Sequence, residues 1–106
     1  MAKYLLEASY TAEGTKGVVK KGGSRRRELV EEMVKKLDGR VEAFYYAFGP
    51  ADVYVIIDVP DAVSAAAISL AINQSGAAQV RTHVLMTPEE IDKAAKRSVS
   101  YRAPGE

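Results

Sequence analysis

Three features of the sequence predict an α+β fold. Four short runs alternate apolar with polar residues, the two-residue period of a strand. Segments with apolar residues at helical spacing separate the first run from the second and the third from the fourth. Only Gly-Pro-Ala separates the second from the third, which leaves room for a hairpin and nothing longer. The order is therefore β-α-β-β-α-β with one more helix at the C-terminus. That is the split βαβ, ferredoxin-like arrangement, with a four-stranded antiparallel sheet and both long helices on one face. The other face has no cover within the chain, so it is expected to be polar or to meet a partner.

The elements follow in order. KYLLEASY is the first strand, with Tyr4, Leu6, Ala8 and Tyr10 on one face and Leu5, Glu7 and Ser9 on the other. Thr11 is an N-cap for a short helix, AEGTKGVVKK. Gly14 and Gly17 weaken it by up to about 1 kcal/mol each relative to alanine, and Gly22-Gly23 breaks it. Ser24 is expected to cap the next helix, RRRELVEEMVKKLD, whose Leu29, Val30, Met33, Val34 and Leu37 form one stripe. Glu31–Lys35 and Glu32–Lys36 are i, i+4 pairs in the favourable order. Asp38-Gly39 ends it, with glycine expected in the left-handed position. RVEAFYYAF and DVYVIIDV are the hairpin strands. Asp61 caps AVSAAAISLAINQS, for which Val63, Ala66, Ala67, Leu70 and Ala71 are the expected buried stripe. AQVRTHVLM is the last strand. TPEEIDKAAKR opens with Thr87 as N-cap, Pro88 at the first helical position and Glu90 completing a capping box. SVSYRAPGE is a tail expected to dock through Val99 and Tyr101.

Composition bounds the function. With 106 residues and 47% hydrophobic content the chain is expected to form a single domain, 1–106, around one core. Fifteen basic against fourteen acidic residues give a net charge of +1, which argues against nucleic acid as a partner. No apolar run approaches the roughly 20 residues of a membrane span, and the N-terminus is too polar for a signal-peptide core. No cysteine is present, hence no disulfide, thiolate metal site or thiol nucleophile. A cytoplasmic location is the expectation.

The segments KYLLEASYTAEG, GGSRRRELVE, EAFYYAFG, DVYVIIDVPD and VRTHVLMTPEEIDKAAKRSVSYR, in this order, resemble the GYD-domain family, small bacterial proteins named for a Gly-Tyr-Asp signature. The resemblance covers essentially the whole chain. It implies a dimeric α/β-barrel type of assembly, in which two ferredoxin-like units join through their open sheet faces, and it names no reaction. The signature departs here: Gly49 and Asp52 match its ends, Pro50-Ala51 lies between them, and the tyrosine is missing. Gly49 and Asp52 also read as plain turn residues.

His83, the only histidine, shares a strand face with Arg81 and Leu85. It is a candidate general base or ligand-orienting group, expected to bond a hydroxyl or carbonyl. One histidine without cysteine excludes zinc. No acidic cluster suggests a loop for magnesium or calcium, and nothing supports haem, so no metal or cofactor is assigned. Beside Ser24, the side chains of Arg25, Arg26 and Arg27 put positive charge at a helix N-terminus, which costs a few tenths of a kcal/mol each. An anion or a neighbouring subunit's carboxylate would make sense of them, and so would pairing with Glu28 and Glu31. Of the aromatics at 44–48, Phe44, Tyr46 and Phe48 share one face and Tyr45 takes the other. One set is expected to fill the core and the other to cover the open face. No nucleophile elbow, metalloprotease motif or phosphate-binding loop is present, and no catalytic set is assigned.

Three readings follow. The first is a homo-oligomeric domain, its partner a second copy of itself, that binds a small anionic or aromatic ligand. The second is a cofactor-independent enzyme, an oxygenase or isomerase like some barrel relatives, with Tyr10, Tyr46, Arg81 and His83 converging. The third is a ligand-sensing regulatory module.

Overall fold

A computed structural model describes residues 1–106. Its elements are β1 (Ala2–Tyr10), α1 (Ala12–Lys21), α2 (Gly23–Lys35), β2 (Arg40–Tyr46), β3 (Val53–Val59), α3 (Ala62–Gln74), β4 (Ala78–Leu85) and α4 (Pro88–Ala95). The sheet runs β2-β3-β1-β4 with every neighbouring pair antiparallel. This is the expected ferredoxin-like α+β order.

The core lies on the helix side of the sheet. Tyr4, Leu6 and Ala8 of β1 and Val53, Val55, Ile57 and Val59 of β3 are buried there against Val30 and Val34 of α2 and Ala65 and Ile68 of α3. In α2 the expected stripe holds at Val30 and Val34, with Met33 and, just past the helix, Leu37 packed at the margin of the core, but Leu29 is exposed rather than buried. In α3 it does not. The buried residues are Ala65 and Ile68, with Ile72 half-buried, while Val63 and Leu70 face outward. This helix is apolar nearly all round, so its periodicity carries little contrast. Two of its polar side chains contact β4: Val80 N–H donates to Asn73 Oδ1 at 2.8 Å, and the Ser69 and Thr82 hydroxyls bond each other. The Asn73 contact occupies a backbone group of an otherwise open sheet edge.

Three of the four helices carry their expected caps. The Thr11 hydroxyl accepts from Gly14 N–H at 3.2 Å, and Asp61 accepts from Ser64 N–H at 2.8 Å. Thr87 and Glu90 form a complete capping box. Ser24 is not a cap. The turn between α1 and α2 is a single residue, Gly22, at φ 91°, and α2 starts at Gly23, which puts Ser24 inside its first turn. At the other end of α2 the left-handed residue is Asp38, φ 59°, rather than Gly39. Gly39 is needed for another reason: a Cβ there would strike the Asp58 carbonyl and the Val59 side chain.

Beyond β4 the chain leaves the body. All of α4 is exposed, and so are Val99 and Tyr101, so the tail does not dock. The molecule measures 57 × 33 × 23 Å. No helix is long and apolar enough to cross a membrane.

Gly14 and Gly17, alike in sequence, should respond oppositely to alanine. A Cβ at Gly14 would collide with the Ala77 carbonyl and touch the Tyr10 ring, whereas one at Gly17 meets nothing within 4 Å. Gly14→Ala should destabilise by about 1–3 kcal/mol through overpacking. Gly17→Ala should stabilise by up to about 1 kcal/mol through helix propensity. Urea denaturation of both variants checks this, and equal effects would refute it.

Acid should weaken the caps. The Asp61 carboxyl is held below its ordinary 3.8, chiefly by the backbone N–H of Ser64 and then by its hydroxyl. The Glu90 carboxyl is held below 4.5, chiefly by the Thr87 N–H. Because both folded values are depressed, the stabilisation is complete above the unfolded values and disappears as pH falls through the folded ones. Asp61→Asn keeps an acceptor without the charge. It should flatten the acid limb of stability against pH, measured by thermal unfolding across the acid range.

Candidate functional site

The odd-numbered residues of β1 and their partners make up the open face, and strand register fixes their neighbours. Lys3 pairs with Asp58 on one side and Leu85 on the other, Leu5 with Ile56 and His83, Glu7 with Tyr54 and Arg81, and Ser9 with Gln79. A bulge in β2 between Val41 and Ala43 sets Ala43 beside Ile56 and Tyr45 beside Tyr54. The face thus has a charged end, an apolar middle and a polar end.

At the charged end Asp58 is buried beneath the cations that bind it. Arg40 Nη2 lies 2.8 Å from Asp58 Oδ2, and Lys3 Nζ lies 3.1 Å from Oδ1 and 3.0 Å from Glu42 Oε1. The Glu42 bond, then Asp58, raises the Lys3 pKa above its usual 10.5. This cluster ties β2, β3 and β1 together, and its charges are already satisfied by one another. Its chemistry is structural.

The polar end is different. Here the β2–β3 turn crosses the end of β1, and a cleft of about 530 Å³ opens, lined by Glu7, Ser9, Gln79 and Arg81 with Pro50 and Asn73 at its rim. Arg81 makes no ion pair within the chain. His83 adjoins the cleft, its Nε2 3.0 Å from Glu7 Oε2, with the imidazole about half exposed. The histidine's partner is thus a carboxylate, not the expected hydroxyl or carbonyl. Glu7 lies diagonally across the strand pair, a neighbour that a sequence separation of 76 residues does not announce.

The other five sequence candidates lie on the helix side. Tyr10 packs against the core margin, and Tyr46 closes over it, its hydroxyl donating to the Gly23 carbonyl at 3.2 Å. The Tyr46 hydroxyl is pushed up to about 12, first by burial and then by Tyr10, with Arg26 opposing. Phe44 meets Tyr46 edge to face at 5.4 Å. Ser24 and Arg27 line a hollow beside Phe44 and Tyr46, and Arg26 lines another beneath Tyr10. Arg25 pairs with Glu28 at 3.2 Å and Arg27 approaches Glu31 at 4.0 Å, so two of the three arginines have acids one turn on. The sheet separates this group from Arg81 and His83, and the two tyrosines do not converge with them. Of the aromatic run, Phe44 reaches the core margin, Tyr45 stands on the open face and Phe48 projects into solvent.

The turn at 47–52 does more than reverse the chain. Asp52 Oδ2 accepts the Tyr10 N–H at 2.7 Å, and Asp52 N–H donates to the Ala8 carbonyl at 2.8 Å. Gly49, by contrast, has open space around it and an ordinary φ. The GYD-domain model matches residues 4–95. The chain belongs to the GYD-domain family. No curated protein and no solved structure matches it. In this GYD-domain protein the aspartate of the imperfect signature therefore pins the end of β1 beneath the turn.

Asp58 is the residue to test at the charged end. Asp58→Ala leaves Lys3 and Arg40 without their shared acceptor and should cost about 1–3 kcal/mol. Chemical denaturation measures it. A loss within error of zero would show that the cluster contributes nothing to sheet stability.

Proposed function

We propose that this GYD-domain protein is a self-associating domain that binds a small organic anion at the polar end of its open face. The observation that carries the reading is Arg81, an unpaired guanidinium in a polar cleft of about 530 Å³. That volume lies within the range of small-molecule sites, about 300–1,000 Å³. A guanidinium fork suits a carboxylate bidentately. Glu7, whose oxygen is engaged by His83, leaves Arg81 free for a ligand.

Self-association is supported by the middle of the face. Leu5, Ala43, Ile56, Tyr54 and Tyr45 form an apolar band that no element of the chain covers. Two such faces packed together would bury the band and wall in the cleft, as in a dimeric α/β barrel. Charge does not oppose this, since Lys3, Arg40 and Arg81 are matched in number by Glu7, Glu42 and Asp58.

A second reading rests on the His83–Glu7 contact at 3.0 Å. An imidazole oriented by a carboxylate beside an anion-binding arginine is the arrangement of a general base. Cofactor-independent proton transfer on a bound carboxylate is the chemistry it would support.

Two measurements test these readings. Sedimentation should show an oligomer at micromolar concentration, and Ile56→Glu, at the centre of the band, should shift it to an 11.5 kDa monomer. A wild-type chain sedimenting only as monomer would overturn the association. Calorimetric titration with benzoate should give saturable binding that Arg81→Gln weakens by about tenfold or more. Unchanged affinity would overturn the anion site. His83→Gln should leave benzoate binding in place, and loss of a defined turnover in that variant would favour the enzyme reading.

A further inference from the structure

A second groove lies on the other side of the sheet, between α1 and the β2–β3 turn. It has a volume of about 410 Å³, and Tyr10, Tyr46, Phe48, Val18 and Val19 form its walls. Phe48 is fully exposed and Val19 is 81% exposed, so these walls are uncovered. Asp52 is the only charged residue lining it. No lysine or arginine of the chain pairs with that carboxylate within 4.0 Å. One of its oxygens is held by the Tyr10 N–H, and the other has no partner in the chain. Arg26 lines the adjoining hollows and not this groove.

From this we infer that the groove binds a small organic cation, an alkylammonium or quaternary ammonium group on a compact body. Three aromatic residues supply negative π-faces, and an unneutralised carboxylate supplies the charge complement. An anion would face the Asp52 carboxylate with no lysine or arginine lining the groove to offset the repulsion. A purely apolar ligand would fill the walls and leave the carboxylate desolvated, an unfavourable outcome. The inference is independent of the anion cleft, because the two sites share no lining residue.

The test uses choline chloride and its uncharged isostere, 3,3-dimethylbutan-1-ol, titrated into the full chain. Binding is read from the aromatic NMR signals of Phe48, Tyr10 and Tyr46. Choline should shift these signals saturably, and the alcohol should bind about tenfold more weakly, the difference a desolvated cation–π contact makes. Asp52→Asn retains an acceptor for Tyr10 N–H and should erase the preference for choline. Phe48→Ala removes a ring that supports nothing in the fold and should weaken choline severalfold with the fold spectrum unchanged. The inference is overturned by absence of saturable shifts through the millimolar range, by equal affinity for choline and the alcohol, or by Phe48→Ala binding choline as wild type does. The last two arms hold whether or not Asp52→Asn folds. If Phe48 and its neighbours instead shift only with protein concentration, the groove is a contact between copies and the cation site is refuted.

Discussion

The two-residue alternation of β1 is the constraint on which the rest of this molecule depends. β1 lies inside the sheet, hydrogen-bonded to β3 on one side and β4 on the other. Its even residues Tyr4, Leu6 and Ala8 are buried under the helices, and its odd residues Lys3, Leu5, Glu7 and Ser9 supply one member of each row of the open face. A slip of one residue would put Leu6 in water and Glu7 in the core. The end of the strand is held against that slip by Asp52, which accepts from Tyr10 and donates to Ala8. Every neighbour relation at the candidate sites descends from this register.

The same alternation explains why the sequence candidates divide into two groups. Arg81 and His83 are odd residues of β4 and share the open face with Glu7. Tyr10 on β1 and Tyr46 on β2 sit on the helix side. Residues of complementary chemistry on opposite faces of a sheet cannot act on one small molecule, however close they are along the chain. The split leaves one face with a free cation and the other with a free anion, each in a concavity of several hundred Å³.

Element order, strand faces and helix caps are legible in the sequence because they rest on local rules. Thr11, Asp61 and Thr87 each cap as their residue types dictate. Where local contrast is weak, the sequence misleads. The alanine-rich α3 offers no polar face to orient it, and only the bonds from Asn73 and Ser69 to β4 settle which side turns in. Ser24 has the residue type of a cap, but the single-residue turn at Gly22 starts the helix before it. Glu7 reads as a polar strand residue, and its partnership with His83 requires the pairing of β1 with β4, a long-range fact. Asp52 reads as a turn residue because its bonds to β1 cross 42 positions.

The segment between Gly49 and Asp52 joins these threads. Pro50 forms the rim of the open-face cleft, and Asp52 lines the groove on the helix side, so one short turn borders both concavities. The Asp52 backbone and side chain bind the same end of β1, which makes the turn a bracket with a concavity on either side. Pro50 fixes its own φ and needs no N–H partner, properties suited to a bracket rather than a hinge. Pro50 and Ala51 bring no ring to a turn that borders three, at Tyr10, Tyr46 and Phe48. The bonds of the aspartate hold the register of β1. On physical grounds that is the residue the fold can least spare there, since any ring at this turn contributes packing, while Asp52 satisfies a backbone donor that would otherwise be left open at the end of β1.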